Sequence, residues 1–153
     1  MKIMPLTQEH LNKVSILIFK DIFQHSFPST LIAKYEEFAR EANLTKELAN
    51  PNTIAFVSVY DKEVLGFIFG YKDLERITVI RYLSGNPESK PLLLDRFIKE
   101  AKKDFPISIK TDAFQFMANK NLLTDIGFKL KRGNEYANVE SLSYELNLSY
   151  SKA

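Results

Sequence analysis

The residue types that bear most directly on chemistry are gathered in one loop, Ser84-Gly85-Asn86-Pro87-Glu88-Ser89-Lys90-Pro91. Ahead of it, Ile77, Val79 and Tyr82 are β-branched or aromatic, the composition of a strand that packs on both faces. Gly85 and Asn86 tolerate positive φ and Pro87 has no ladder donor, so the strand is expected to stop across Ser84 to Pro87. Behind the loop, Leu93, Leu94, Phe97, Ile98, Ala101 and Phe105 recur at helical spacing against Asp95, Lys99, Glu100 and Lys103. That pattern predicts a surface helix from Leu92 to Phe105 with one buried stripe. Ser89 or Lys90 caps it, and Pro91 suits a first turn, where a missing N–H costs nothing. A loop of this kind aims backbone N–H groups and partial positive charge outward, a geometry that suits a bound anion. The same strand-loop-helix unit also serves as plain architecture.

Other chemistries have less to work with. The chain has no Cys, hence no disulfide frame and no thiolate nucleophile, and a zinc site would rest on two His and carboxylates. No structural metal is expected. His10 and His25 fall on the polar side of a helical pattern and read as solvent-facing, and neither has a carboxylate spaced for a triad. Arg96, Lys99, Lys102 and Lys103 follow the loop and could meet a phosphate, although such runs are ordinarily solvated faces. A net charge of +2 is too small to mark a nucleic-acid partner. No run approaches the ~20 apolar residues of a membrane span, and MKIMPLTQEH lacks an apolar core of signal-peptide length. The expectation is a soluble, cytoplasmic protein with no membrane partner.

At 153 residues the chain suits one domain that buries roughly two-thirds of its unfolded surface. Residues 1–148 are expected to form it, with 149–153 a frayed tail. A short strand over Met1 to Leu6 leads to a helix capped by Thr7, with Leu11, Val14, Leu17, Ile18 and Ile22 as its stripe. Phe27-Pro28 closes that helix. A second begins at Ser29 or Thr30, turns Leu31, Ile32, Tyr35, Phe38, Ala39 and Ala42 inward, and stops at Asn43. LTKELANPN reads as a loop, either throughout or with one helical turn around Thr45 to Ala49. Thr53 to Tyr60 and Val64 to Tyr71 flank Asp61-Lys62-Glu63 as a hairpin, and Arg76 to Leu83 completes a meander. Gly66 and Gly70 mark a close backbone approach, a bulge or a bend. Pro106 to Thr111 is a strand with Ile107 and Ile109 alternating. Phe116, Asn119, Leu122, Leu123 and Ile126 share one helical flank that ends at Gly127 in left-handed geometry. Phe128 to Lys131 and Ser141 to Leu148 are the last strands around an Arg132-Gly133-Asn134 turn, the latter with Leu142, Tyr144, Leu146 and Leu148 on its buried face.

This order of elements resembles the GNAT N-acetyltransferase superfamily over nearly the whole chain. NKNLLTDIGFKL followed by SLSYELNL resembles the family's short helix ending in Leu-Gly-Phe with two paired strands, and the loop stretch lies where the family binds acyl-CoA. The resemblance implies an α/β (α+β) fold with a mixed, mainly antiparallel seven-stranded sheet and helices on both faces. It implies that the backbone of Val79, Ile80 and Arg81 pairs with the pantetheine arm of acetyl-CoA. By the same likeness Gly85, Asn86, Pro87, Glu88, Ser89 and Lys90 hold the diphosphate, and Asn119 joins the cofactor-binding set. The sequence departs from the family's Gln/Arg-x-x-Gly-x-Gly/Ala loop, since the matching positions hold Gly85, Glu88 and Lys90. It departs again where many members carry a tyrosine that protonates the leaving thiolate, because that position is Leu123, leaving Tyr82 or Tyr136 as substitutes.

Acetyl transfer needs a base and an oxyanion donor. The family often places a glutamate on or just before the fourth strand, which implies Glu75 as catalytic base, Asp73 second, with amides near Val79 as oxyanion donor. A solvated turn carboxylate is the plainer reading of Glu75. The resemblance therefore implies an N-acetyltransferase moving acetyl from acetyl-CoA to a small-molecule or peptide amine. The alternative is a non-catalytic GNAT-fold module that binds another ligand or a protein partner. Such domains often dimerise, and Tyr136, Tyr144 and Tyr150 offer the last strands a surface for a homodimer.

Overall fold

A computed structural model describes residues 1–24, 27–73, 75–131 and 143–148. Among them, seven strands form one sheet: β1 (Lys2–Pro5), β2 (Thr53–Tyr60), β3 (Glu63–Lys72), β4 (Ile77–Gly85), β5 (Ser108–Asp112), β6 (Lys129–Lys131) and β7 (Ser143–Asn147). Their order is β1-β2-β3-β4-β5-β7-β6. Neighbours are antiparallel except β4 and β5, which run parallel. The fold is thus the mixed, mainly antiparallel seven-stranded sheet expected from the sequence. The helices are α1 (Leu11–Gln24), α2 (Ser29–Ala39), α3 (Glu41–Ala49), α4 (Ser89–Lys102), α5 (Ala113–Ala118) and α6 (Lys120–Ile126). No helix among the described residues is long and apolar enough to cross a membrane.

Alternation along the strands divides the apolar residues into two cores, one for each face of the sheet. Phe67 and Phe69 join Val14, Ile18, Tyr35 and Phe38 beneath α1 and α2, while Ile68 joins Leu93, Leu94, Phe97 and Ala101 beneath α4. Each Val, Leu, Ile or Phe side chain among them contributes on the order of 1.5–3 kcal/mol by leaving water. Strand β4 breaks the alternation. Ile80 belongs to the α4 core and Tyr82 to the α1 core, although two residues apart they would share a face in a regular strand. The cause is a bulge: Tyr82 pairs with Phe69 and Ile80 with Gly70, leaving Arg81 as the extra residue.

Several local expectations give way to packing. The segment read as a loop after Asn43 is helix α3, held by fully buried Leu44 and partly buried Leu48, a stripe too narrow to stand out among polar neighbours. Helix α2 accordingly ends at Arg40, which takes extended geometry, and exposed Ala42 lies beyond it. Strand β4 ends at Gly85, within the Ser84 to Pro87 stretch expected to stop it, and there Gly66 of β3 faces Gly85 so closely that a Cβ on Gly85 would meet Gly66 Cα at 2.7 Å. Phe105 is 60% exposed and outside α4, since the residue before a proline is driven from helical geometry. Exposed Ile107 precedes β5 instead of alternating within it. His10 is buried, not solvent-facing, and its Nδ1 accepts Thr7 N–H at 2.9 Å. Asn119 divides the expected single helical flank into α5 and α6. Tyr144 is half-buried and stacks on Phe116 at 3.7 Å, so its ring is engaged within the fold. His25, Tyr136, Tyr150, Leu142 and the Arg132 turn lie outside the described residues.

Candidate functional site

The sheet opens between β4 and β5. Their ladder covers only Ile77 to Ile80 against Ser108 to Thr111. Strand β5 then ends at Asp112, whose Oδ1 accepts Gln115 N–H at 2.7 Å and caps α5, while β4 runs on to Gly85. Past Ile80, the β4 edge therefore has no strand beside it on that flank among the described residues. A buried edge needs partners for its polar groups. Two amide side chains from α5 and its carboxyl end supply them. Leu83 N–H donates to Gln115 Oε1 at 3.0 Å, and Asn119 Nδ2 approaches Leu83 O at 3.4 Å while donating to Gln115 O at 3.0 Å. Gln115 Nε2 in turn donates to the Tyr35 hydroxyl at 2.9 Å.

A recess lies on each side of this opening. The larger, about 1060 Å³, is lined by α2, α3 and the β4–β5 junction, with Tyr35, Phe38, Glu75, Arg81, Lys110 and Asp112 among its walls. The smaller, about 440 Å³, lies between the start of α4 and α5–α6, with Gly85, Pro87, Lys90, Met117, Asn119 and Leu122 in its walls. The bulge turns Arg81 into the larger recess, where its guanidinium sits 4.5 Å above the Phe38 ring and 2.7 Å from Glu47 Oε1. Burial pushes the Asp112 carboxyl above its ordinary range, against opposing hydrogen bonds from the Gln115 and Phe114 amides and the charge of Lys34. Burial, with Asp112 nearby, also raises Tyr35, so its phenol stays protonated at neutral pH. Tyr82 is raised by burial and then by Asp21, to which its hydroxyl donates at 3.1 Å beside Ser84 Oγ at 2.6 Å. Burial lowers Lys90, with Asp21 opposing.

The positions singled out from sequence are divided by this geometry. Val79 and Ile80 lie within the stretch paired to β5, and Arg81 is the bulged residue. Gly85, Pro87, Lys90 and Asn119 line the smaller recess together. Asn86 turns inward on the loop: its Oδ1 accepts Ser89 N–H at 2.8 Å, and its carbonyl oxygen accepts Ser89 and Lys90 N–H at 3.1 and 3.3 Å. Those two amides are therefore aimed at Asn86. The Ser89 side chain is fully buried and accepts from Ser58 Oγ at 2.8 Å, while Glu88 is exposed. Glu75 stands exposed at the rim of the larger recess, with its N–H bound to Asp73 Oδ1 at 2.9 Å. Leu123 is 1% exposed in the α4-side core and offers no proton. Arg96 lies over Phe56, and Lys99 and Lys103 pair with Asp95 and Glu100 along the helix surface.

Sequence reasoning missed Tyr35, Asp112 and Gln115 as site residues. The Asp112-Ala113-Phe114-Gln115 spacing carries a capping signal, but it does not reveal that the glutamine reaches across to β4. Among the described residues, Asn119 Oδ1 and Thr111 Oγ1 are buried without a hydrogen-bond partner.

No family model matches the chain, and no curated protein sequence matches it. Solved structures do. The PaiA N-acetyltransferase of Thermoplasma acidophilum, in complex with coenzyme A, superposes with a TM-score of 0.74 at 16% identity over 96% of this chain and 98% of that one. A GNAT-family acetyltransferase from Staphylococcus aureus Mu50 gives 0.73 at 13% identity over 97% and 99%. The aminoglycoside 6'-N-acetyltransferase of Enterococcus faecium gives 0.66 at 14% identity over the full length of both. At such identities the likeness is one of fold, and the chain has the GNAT fold.

Proposed function

We propose that this chain is an acyl-CoA-dependent N-acyltransferase, with acetyl-CoA as donor and a small-molecule amine as acceptor. The observation that carries the reading is the end of the β4–β5 ladder at Ile80 and Thr111 with a recess on either side. A thioester held in that opening is reachable from both. The carrier enters from the smaller recess, where Gly85, Pro87, Lys90 and Asn119 meet, and its pantetheine arm lies along β4 near Leu83. The open acceptor at Asn119 Oδ1 suits an amide N–H of that arm. The amine occupies the larger recess, a volume suited to a small molecule. The coenzyme A complex of the Thermoplasma protein and the aminoglycoside specificity in the Enterococcus protein's name support donor and acceptor class.

In the transfer, the amine nitrogen attacks the thioester carbonyl, a C–N bond forms, the C–S bond breaks, and the amine's proton goes to a base. Asp112 suits that role better than Glu75. It sits where β5 leaves β4 and is held toward neutrality by burial, whereas Glu75 is exposed at the rim and would act through water.

One observation favours the second reading, a non-catalytic module. The Ser89 and Lys90 amides are already taken by Asn86, which leaves a diphosphate fewer donors at the helix start. Release of free thiol from acetyl-CoA in the presence of a primary-amine panel separates the two. Amine-dependent release supports the transferase, and none across aminoglycosides, polyamines, amino acids and peptides leaves the module.

A further inference from the structure

Gln115 is 2% exposed and its carboxamide is engaged at both ends, by Leu83 N–H at 3.0 Å and by the Tyr35 hydroxyl at 2.9 Å. The two contacts belong to different halves of the site. Leu83 is on the β4 edge that faces the opening, and Tyr35 lines the larger recess. The Gln115 backbone is fixed as well, its N–H by Asp112 Oδ1 and its carbonyl by Asn119 Nδ2. Only side-chain rotation can release the contacts. Tyr35 is 5% exposed, and among the described residues its hydroxyl oxygen accepts from Gln115 while its proton has no acceptor. A buried O–H of this kind gains from a ligand atom in the recess it lines.

We propose that Gln115 is a positioning residue that couples the two recesses, so that an arm arriving on β4 re-aims the Tyr35 hydroxyl in the acceptor recess. The inference rests on the acyl-CoA reading above. An extended, amide-bearing arm adds to a sheet edge through main-chain hydrogen bonds, and at this edge the Leu83 donor is already held by Gln115 Oε1. The arm's carbonyl displaces that oxygen. The carboxamide then turns, and Tyr35 loses the donor that fixed its oxygen. Coupling between sites is reciprocal, so what strengthens the Gln115–Tyr35 contact weakens carrier binding. No covalent step is involved.

The test is a double-mutant cycle on coenzyme A affinity, measured by titration calorimetry with the full chain. Removing the competitor in Gln115→Ala tightens binding about three- to tenfold, the range of one modest hydrogen bond. Tyr35→Phe tightens it about two- to fivefold, although the residue lies in the other recess, and has no further effect in the Gln115→Ala background. Gln115→Met, of similar length without a carboxamide, repeats the gain should alanine loosen the core. Amide exchange at Leu83 supplies a second readout: slow in the unliganded protein, fast in Gln115→Ala, slow again in both with coenzyme A. Equal or weaker binding by folded Gln115→Ala and Gln115→Met, or the same Tyr35→Phe effect in both backgrounds, overturns the coupling alone. Absence of binding in every protein overturns the acyl-CoA reading and the coupling with it.

Discussion

Glu47 of α3 reaches Arg81 at 2.7 Å, and so ties a helix to the one residue that the β4 bulge expels from regular pairing. The guanidinium is also stacked over Phe38. Its side chain is 41% exposed and that of Glu47 31%, so solvent screens the pair. The ion pair contributes about 0.2–1 kcal/mol and the ring contact about 0.5–1 kcal/mol.

Arg81→Met is therefore expected to cost about 1 kcal/mol in chemical denaturation and Glu47→Gln less. The Glu47 effect should shrink as salt is raised. A loss that ignores ionic strength would mean that Glu47 acts through packing instead.

The glycines separate by what a methyl group would meet. A Cβ at Gly70 would lie 2.2 Å from Val79 O and 2.5 Å from the Phe97 ring, whereas at Gly127 the nearest atom, Leu146 Cδ1, is 3.4 Å away and the strain comes from a φ of +116°. Gly70→Ala should cost more than about 3 kcal/mol by overpacking, and Gly127→Ala about 1 kcal/mol. Melting curves of the two variants check the ranking, and equal losses would contradict the β3–Phe97 contact.

Asp112 gives a pH signature. Its carboxyl is raised in the folded state by burial, so the folded chain holds its proton at pH values where the unfolded chain has released it. Its contribution to stability is greatest at acid pH and falls as pH rises from the unfolded value of about 3.9 through the folded one. Asn also caps helices well. Asp112→Asn should therefore melt no lower than the parent at pH 7, with its relative advantage fading at lower pH. In turnover, the same variant should lose kcat together with the acid limb of the pH profile, and an unchanged limb would remove Asp112 as the base.

How far the fold could be read depended on how each signal arises. Stripes such as Leu11, Val14, Ile18 and Ile22, the Gly127 stop and the hairpin of β2 and β3 follow from local spacing, and all appear in the structure. Leu44 shows the limit, because one buried leucine among polar residues makes a helix only through what it docks against. The site was half legible. Gly85, Pro87, Lys90 and Asn119 do meet around one recess. The bulge at Arg81 and the reach of Gln115 to Leu83 are tertiary events between residues far apart in the chain, and no periodicity encodes them. Asn86 illustrates the converse, since a residue chosen for a turn also captures the amides that the turn was expected to present.

The most direct measurement is a titration of the full chain with acetyl-CoA, by calorimetry and by melting temperature. A transferase with its donor site in the β4–β5 opening should bind one equivalent, and coenzyme A should compete. A ligand at a hundred times its dissociation constant stabilises the folded state by about 2.7 kcal/mol, a rise of roughly 5–10 °C for a domain of this length. Asn119→Leu, which removes the open acceptor at the smaller recess, should reduce that rise. No heat and no shift with millimolar acetyl-CoA or coenzyme A would contradict the account and leave a GNAT fold that serves another ligand.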